Sequence, residues 1–301
     1  MLVKKSIDRI VHYFLYPSSQ YKQNRITLWL RELTAALFNL LSCLIIFFAG
    51  ILDTIKNGFA WPYGFLYQKN GIPFYHVFYS LLSSIVGGLI SVTGHMIHWM
   101  GIVIRLLDMG RPVNESEKEI IVSVFHQSVN PEIIRIIPLP FWNKHFFVLH
   151  NYIFTPSNVT SISSALLIHE VVHIWQFRQE GCSYIFNALA AQIRYGIKNT
   201  SGNAYDWKAE LKRGKIIWQD FNKEAAAQFI EDVWKEGASC IYSNKGDKTI
   251  TEAGNGKFFQ MINLSVTGIQ HELPIMISKS NLQDYTALAM QAVKKIRSTK
   301  Y

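Results

Sequence analysis

Two long stretches without charge constrain what this chain can fold into. The first, within 33–55, has no charged residue before Asp53, and the second, 78–107, has none before Arg105. Each is long enough for a membrane-spanning helix, which needs about 20 apolar residues. We expect neither to be a cleavable signal, because the first begins too far from the N-terminus and is too long. The pattern predicts a two-helix transmembrane hairpin over 33–107, and the alternative is a pair of core helices in a soluble domain.

Polar and small residues interrupt both stretches. The polar ones include Asn39, Ser42, His95 and His98. His95 and His98 share one helical face, but amphipathic residues near a helix end are expected at the membrane surface rather than in a second metal site. Gly87 and Gly88 are small enough to let two membrane helices approach closely.

Basic residues near the ends of these stretches predict an orientation. The basic residues before the first stretch are Lys4, Lys5, Arg9, Lys22, Arg25 and Arg31. Arg105 and Arg111 follow the second stretch, whereas the loop 53–77 is rich in aromatic residues and has only two lysines. This asymmetry predicts two spans with both termini in the cytoplasm, which for a bacterial protein means the inner membrane. Residues 1–32 would form a basic segment against anionic lipid.

Charge and cysteine content narrow the remaining classes of function. The net charge is +9, yet no groove-reading or base-stacking motif accompanies it, so we expect no nucleic-acid partner. The three cysteines have no paired spacing. They predict neither disulfides nor a cysteine zinc site, which is typical of a reducing compartment.

One short motif carries most of the chemical information. His169, Glu170 and His173 form a His-Glu-x-x-His segment. On a helix the two histidines lie one turn apart on the same face, so both imidazoles can bind one tetrahedral metal ion. Glu170 is rotated by about 100° from His169, which is awkward for a third ligand but allows it to take a proton from water at the metal. The motif predicts a zinc (Zn²⁺) site.

Apolar residues surround this motif and predict a buried helix. They are Leu166, Leu167, Val171, Val172, Ile174, Trp175 and Phe177. A buried cluster of two histidines and a carboxylate is costly unless it holds a metal or has hydrogen-bond partners. The alternative to a metal site is therefore a core helix whose polar trio is satisfied by mutual hydrogen bonds.

A zinc site of this kind needs a third protein ligand and leaves one position to water. Residues 220–234 have a helical pattern, and Glu224 lies near its start. The alanines at 225–227 would let this helix lie close to the one carrying His169, as a short glutamate ligand requires. Glu224 is the predicted ligand, and its alternative is a solvated residue stabilised by the helix dipole. Glu210 is the rival ligand, although its lysine-rich surroundings favour an exposed helical face.

Residues 108–301 are predicted to form a soluble α+β domain that is large enough for its own core. Ser116 and Glu119 predict a capping box at the start of a helix. Apolar runs that predict a small sheet ahead of the metal helix occur at 133–139, 146–149 and 152–154. Further helices are predicted over 183–195, 220–235 and 281–297. From about residue 240 the chain is a weakly patterned C-terminal extension.

Several motifs around the metal helix follow one another in a distinctive order. They are Arg111-Pro-Val-Asn-Glu-Ser-Glu117, Val124-Phe-His-Gln-Ser-Val129, Ile134-Arg-Ile136, Leu167-Ile-His-Glu-Val-Val-His-Ile-Trp-Gln176, Ala204-Tyr-Asp-Trp207 and Phe221-Asn-Lys-Glu-Ala-Ala-Ala227. This order resembles a family of bacterial zinc-peptidase-like domains, the gluzincin-type modules found with Vgr-related, Rhs and other polymorphic-toxin proteins. The resemblance covers roughly 111–235.

The resemblance implies a zincin fold and hydrolase-like chemistry. In that family the glutamate of the Phe-Asn-x-Glu segment would be the third ligand, which corresponds to Glu224 and agrees with the helical pattern. This chain departs from the family at Ala225 and Ala226, where glutamines are usual. The resemblance also suggests an effector associated with a secretion system or a toxin.

These features predict a membrane-anchored zinc metallohydrolase, and specifically a peptidase. Zinc held by the three ligands would polarise a scissile carbonyl and lower the pKa of its bound water to about 7. Glu170 would act as general base and then pass the proton to the leaving amine. Tyr205, which lies between the ligand segments, is a candidate partner for the oxyanion, and its alternative is packing against Trp207.

A second class of function remains open. In this alternative the hairpin carries the function, as a membrane-inserting toxin component or a scaffold. The zinc would then serve the structure only, and a structural zinc is bound by four protein ligands. The expected partners are membrane lipids, a protein or peptide substrate and, from the resemblance, secretion-system components.

Overall fold

The computed structural model describes residues 25–67, 74–103, 110–139, 145–157, 159, 161–195, 203–242, 248–250, 254–266 and 282–299. Most of the basic segment 1–32 and Arg105 lie outside these ranges. The chain divides into two compact units that interleave along the sequence. The first unit comprises Met1–Val113, Glu132–Val159 and Gln176–Ala190, and the second comprises Asn114–Pro131, Thr160–Trp175 and Ala191–Tyr301. The predicted domain over 108–301 stays a prediction.

Two long helices dominate the first unit. They are α1 (Arg25–Tyr67) and α2 (Phe74–Val103). Both are long and apolar enough to cross a membrane, over Trp29–Lys56 and Phe78–Val103. The prediction of two long apolar helices is therefore confirmed.

The two helices pack along each other through small and polar residues. A side chain at Gly88 would collide with the ring of Phe47, so the helices meet there at the distance that a glycine allows. Cys43 Sγ lies 3.0 Å from Ser91 Oγ across the same contact. This agrees with the close approach expected from the small residues of the second stretch.

A small sheet completes the first unit. Its strands are β1 (Arg111–Pro112), β2 (Arg135–Leu139), β3 (Phe147–Leu149) and β4 (Tyr152–Pro156). The order is β1-β2-β4-β3, with β2 and β4 parallel and the other pairs antiparallel. All five residues of β4 are buried. The predicted sheet ahead of the metal motif is confirmed.

The second unit is mainly helical. It begins with α3 (Glu115–Phe125). The later helices, two of which also contribute residues to the first unit, are α4 (Ser164–Glu180), α5 (Ser183–Tyr195), α6 (Trp207–Lys212), α7 (Lys223–Glu236), α8 (Lys257–Val266) and α9 (Thr286–Ser298). A second, antiparallel sheet has the order β6-β5-β7 and consists of β5 (Ser239–Tyr242), β6 (Lys248–Ile250) and β7 (Leu282–Asp284).

The start of α3 corrects one prediction. The capping box expected at Ser116 and Glu119 lies two residues earlier. Asn114 Oδ1 accepts from the backbone N–H of Glu117 at 2.9 Å, and Glu117 Oε2 accepts from the N–H of Asn114 at 2.8 Å. Asparagine caps a helix as well as serine does, so the earlier cap gives a longer helix. Ser116 instead donates its hydroxyl to Asn114.

Trp218 links α4 and α7, the two helices that carry the predicted ligands. As the apolar pattern predicts, α4 is buried, with Ile168 and Val172 completely inaccessible. The indole of Trp218 donates to the carbonyl of Ala226 in α7 at 3.0 Å. The ring of Trp218 also lies 5.5 Å from that of Trp175 in α4. This tryptophan pair helps to position the two helices that carry the metal motif and Glu224.

Candidate metal site

Two histidines and one glutamate converge in the second unit. Nε2 of His169 lies 3.2 Å from Nε2 of His173. Oε2 of Glu224 lies 3.2 Å from Nε2 of His173 and 3.6 Å from Nε2 of His169. All three side chains are buried. The structure thus brings the three predicted ligands together in a group that could hold a metal ion.

The spacing of these donor atoms fits a small divalent ion. Ligands about 2.0–2.1 Å from a tetrahedral ion lie about 3.3 Å from one another. The observed separations of 3.2, 3.2 and 3.6 Å agree with that value. Two imidazole nitrogens and one carboxylate oxygen are also a donor set that binds transition metals. An ion would fit without a large movement of the three side chains.

Glu224 reaches the histidines because of how α7 begins. Asn222 caps this helix by accepting from the backbone N–H of Ala225 at 3.0 Å. The alanines at 225–227, which follow Glu224, are all buried. Glu224 is only 4 % exposed, which removes the alternative of a solvated first-turn glutamate.

Two side chains that the sequence analysis does not single out hold the ligands in place. Glu231 Oε2 lies 3.0 Å from Nδ1 of His169. Gln192 in α5 donates its amide to Oε1 of Glu224 at 2.8 Å. A carboxylate on the second nitrogen of a ligating histidine fixes the tautomer and orientation of the ring. Glu231 follows Glu224 by two helical turns on the same face, and this spacing is the signal that could have indicated it.

Glu210, the rival ligand, is engaged elsewhere. Its carboxylate pairs with Arg213 and Lys215 and accepts from the backbone N–H of Asn222 at 3.2 Å. The expectation of an exposed helical face at this position is wrong, because Glu210 is completely buried. Two cations and one amide satisfy its charge. Through Asn222 it supports the residue that caps α7, two positions before Glu224.

Tyr205 lies beside the metal group. Its ring centroid is 5.9 Å from that of His169, and the charge of Glu224 is close enough to affect its hydroxyl. Burial raises the pKa of Tyr205, as do the charges of the nearby carboxylates. The alternative of packing against Trp207 receives no support, since the ring contacts described for Trp207 are with Phe229 and Tyr285.

Burial and neighbouring charges shift the pKa values of His169, Glu170 and Glu224. Burial alone would lower the pKa of His169, but the nearby carboxylates of Glu224, Glu231 and Glu170 raise it to about 10. Burial raises the pKa of Glu170, against the opposing effect of the two histidines. Burial would also raise the pKa of Glu224, but the charge of His173 and hydrogen bonds to both histidines hold it below its usual range. The carboxylates thus favour positive charge at His169, whether from a proton or from a metal ion.

Replacement of Glu231 tests the support of His169. We expect Glu231→Ala to weaken metal binding by about 10- to 100-fold, because the imidazole loses the partner that orients it. Glu231→Gln keeps a hydrogen-bond acceptor without the charge. Its metal affinity should lie between those of Glu231→Ala and the wild type. Competition with a chromophoric chelator measures the affinity, and Glu236→Ala at the end of the same helix is the control. Equal affinity for Glu231→Ala and Glu236→Ala would show that Glu231 does not orient the ligand.

Comparison with known proteins leaves the site to be interpreted from its own geometry. The resemblance to bacterial zinc-peptidase-like domains, and the zincin fold that it implies, stay predictions. No protein-family model, curated protein or solved structure matches this chain.

Proposed function

We propose that the protein is a membrane-anchored zinc metallohydrolase that cleaves peptide bonds. The observation that carries this proposal is the buried group of His169, His173 and Glu224, whose donor atoms have the mutual spacing of tetrahedral ligands. Calcium and magnesium prefer oxygen ligands alone. Two histidines and one glutamate are instead a donor set of hydrolytic zinc enzymes.

The number of ligands supports catalysis over a structural role. Structural zinc sites are closed by four protein ligands, whereas catalytic sites have three. Within the described ranges, the group able to hold a metal has three members. Glu170 is buried beside this group without belonging to it. A position for water and an adjacent proton acceptor are what hydrolysis requires.

The side chains around the metal would divide the chemistry between them. Zinc would supply Lewis acidity toward the carbonyl oxygen and make water a stronger acid. Glu170 would accept a proton from the attacking water and return it to the leaving amine. Its raised pKa suits a group that must both take and release a proton. Tyr205 is 38 % exposed, so a substrate can reach it, and its hydroxyl would donate to the developing oxyanion.

The two apolar helices would attach this enzyme to the inner membrane of a bacterium. The basic residues that precede α1 favour the cytoplasmic side of that membrane. Membrane lipids and a protein or peptide substrate are then the partners. The motif resemblance to toxin-associated modules favours an effector that works with secretion-system components.

A second candidate follows from the helices rather than from the metal. Large apolar side chains are exposed along both α1 and α2, as a membrane-inserting toxin component or a membrane scaffold would require. The metal would then stabilise the fold without catalysing a reaction.

Metal analysis together with cleavage profiling separates the two candidates. We expect about one zinc ion per purified chain. Incubation with peptides from a digested proteome should create new peptide ends, detected by mass spectrometry. These ends should disappear with a chelator and return when zinc is restored. Stoichiometric zinc without any new ends would favour the scaffold, and a protein that binds no zinc would overturn both candidates.

A further inference from the structure

In the two long helices the polar face is buried and the apolar face is exposed, which is the opposite of a helix on the surface of a soluble protein. Asn39, His95 and His98 are 2–3 % exposed, so all three side chains face the protein, and the expectation that the two histidines lie at a membrane surface stays a prediction. The exposed positions of α1 recur every three or four residues and include Leu37, Leu41, Ile45, Phe48 and Leu52. They form one apolar stripe along the helix. The helix pair thus hides its polar groups and presents its large apolar ones.

The polar face is covered by the protein's own sheet. Asn39 of α1 donates its amide to the hydroxyl of Tyr152 in β4. The ring of His98 in α2 lies 4.7 Å from the ring of Tyr152. Gly94 approaches β3 so closely that a methyl group there would lie 2.7 Å from Leu149. Asn39 lies in the first half of the first apolar stretch, and Gly94 and His98 lie in the second half of the second.

The covered face extends over most of α2. Near its start, the hydroxyl of Tyr79 donates to Asn187 of α5 at 3.1 Å, and Gly87 lies against the backbone of Cys182. From Tyr79 to His98 the covered length is about 28 Å at the rise of an α-helix. A bilayer's hydrocarbon core is about 30 Å thick. The sheet and α5 therefore lie against α2 over nearly the whole length that would have to span the bilayer.

A crossing would carry this sheet into the hydrocarbon. The sheet is open, with β1 and β3 as its outer strands among the strands described. Open sheet edges do not occur in contact with lipid tails, because their backbone N–H and C=O groups would lack hydrogen-bond partners. An apolar stripe on one side and a sheet on the other are both accommodated when the helices lie in the plane of the membrane.

We propose that α1 and α2 do not cross the bilayer but lie in one leaflet, with their apolar stripe in the lipid and the sheet on the aqueous side. Amphipathic helices that bind membranes in this way combine buried apolar area with attraction to anionic headgroups. Here the charge is supplied by the basic residues within 1–32 and by the net charge of +9. The occupant of this apolar face is therefore an anionic lipid surface. The proposal does not depend on the metal or on catalysis.

The side of the membrane on which the loop between α1 and α2 lies tests this arrangement. Lys69→Cys and Tyr301→Cys are introduced separately into the full chain and expressed in bacterial cells. Intact and lysed spheroplasts are treated with a membrane-impermeant maleimide, and the chain with only its native cysteines is the blank. Helices that lie in one leaflet leave both positions on the same side, so the two variants should react under the same condition. Reaction from opposite sides would show two crossings and overturn the proposal.

Binding to vesicles tests whether the apolar stripe binds an anionic lipid surface. The double variant Ile45→Glu, Leu52→Glu places charge on the apolar stripe, and Ile193→Glu is the control, since Ile193 and Leu52 are 67 % and 65 % exposed. In flotation with vesicles of phosphatidylethanolamine and phosphatidylglycerol, the wild type and the control should bind equally. The double variant should bind at least about tenfold more weakly, because carboxylates are costly in lipid. A wild-type protein that forms a stable dimer without lipid and does not float would assign the stripe to a second copy and overturn the proposal.

Discussion

Replacing Glu170 with glutamine is expected to slow peptide hydrolysis by about 10²- to 10⁴-fold and to leave about one zinc ion per chain. The carboxylate is the group that takes a proton from water in the proposed reaction. Glutamine has the same shape but cannot accept and return that proton. Because Glu170 is buried and is not one of the three grouped ligands, the metal group should survive the substitution. Cleavage rates, zinc content and the melting temperature are measured on the same preparation.

The control for this variant is Glu180→Gln. Glu180 ends the helix that carries Glu170 and is not part of the metal group, so this substitution should leave cleavage unchanged. A Glu170→Gln variant with wild-type cleavage would remove the proposed proton acceptor from the mechanism. If neither the wild type nor either variant cleaves peptides while all bind zinc, the scaffold with a structural metal becomes the better account.

Replacing Glu224 with alanine is expected to remove the metal itself. This variant should release zinc at chelator concentrations that the wild type and Glu170→Gln withstand, because one of three protein ligands is lost. A bound ligand stabilises the folded state by about 2.7 kcal/mol when its concentration is a hundred times the dissociation constant. We therefore expect zinc to raise the melting temperature of the wild type and to have almost no effect on that of Glu224→Ala. Calorimetry with and without added zinc measures the difference.

Glu210→Ala tests whether Glu210 binds the metal or only forms the buried ion pairs with Arg213 and Lys215. Its removal leaves Arg213 and Lys215 without their carboxylate and the N–H of Asn222 without its acceptor. Loss of such a buried partner costs about 1–3 kcal/mol. The melting temperature should fall by the same amount with and without zinc, and zinc should stay bound. Retention of zinc by Glu224→Ala together with its release by Glu210→Ala would make Glu210 the ligand.

Features that depend on spacing within one segment were accessible from the sequence. The turn between His169 and His173 is a property of any α-helix. The bounds predicted for the helix 183–195 agree with those of α5, and the apolar runs before the motif form the predicted strands. Glu224 could be singled out because buried alanines follow it. The cap of α3 was misplaced by two residues because asparagine and serine are nearly equivalent caps.

The tertiary structure decided which distant residues meet. Gln192 and Glu224 are joined across two helices, and the ion pairs of Glu210 bury a residue whose local sequence favours exposure. The same holds for the long helices: their composition indicates contact with lipid, but Asn39 and Tyr152 lie 113 positions apart, and their hydrogen bond reveals which face the protein covers. Local periodicity records which side of a helix is apolar. It contains no information on what packs against the other side, because that depends on the three-dimensional path of the whole chain.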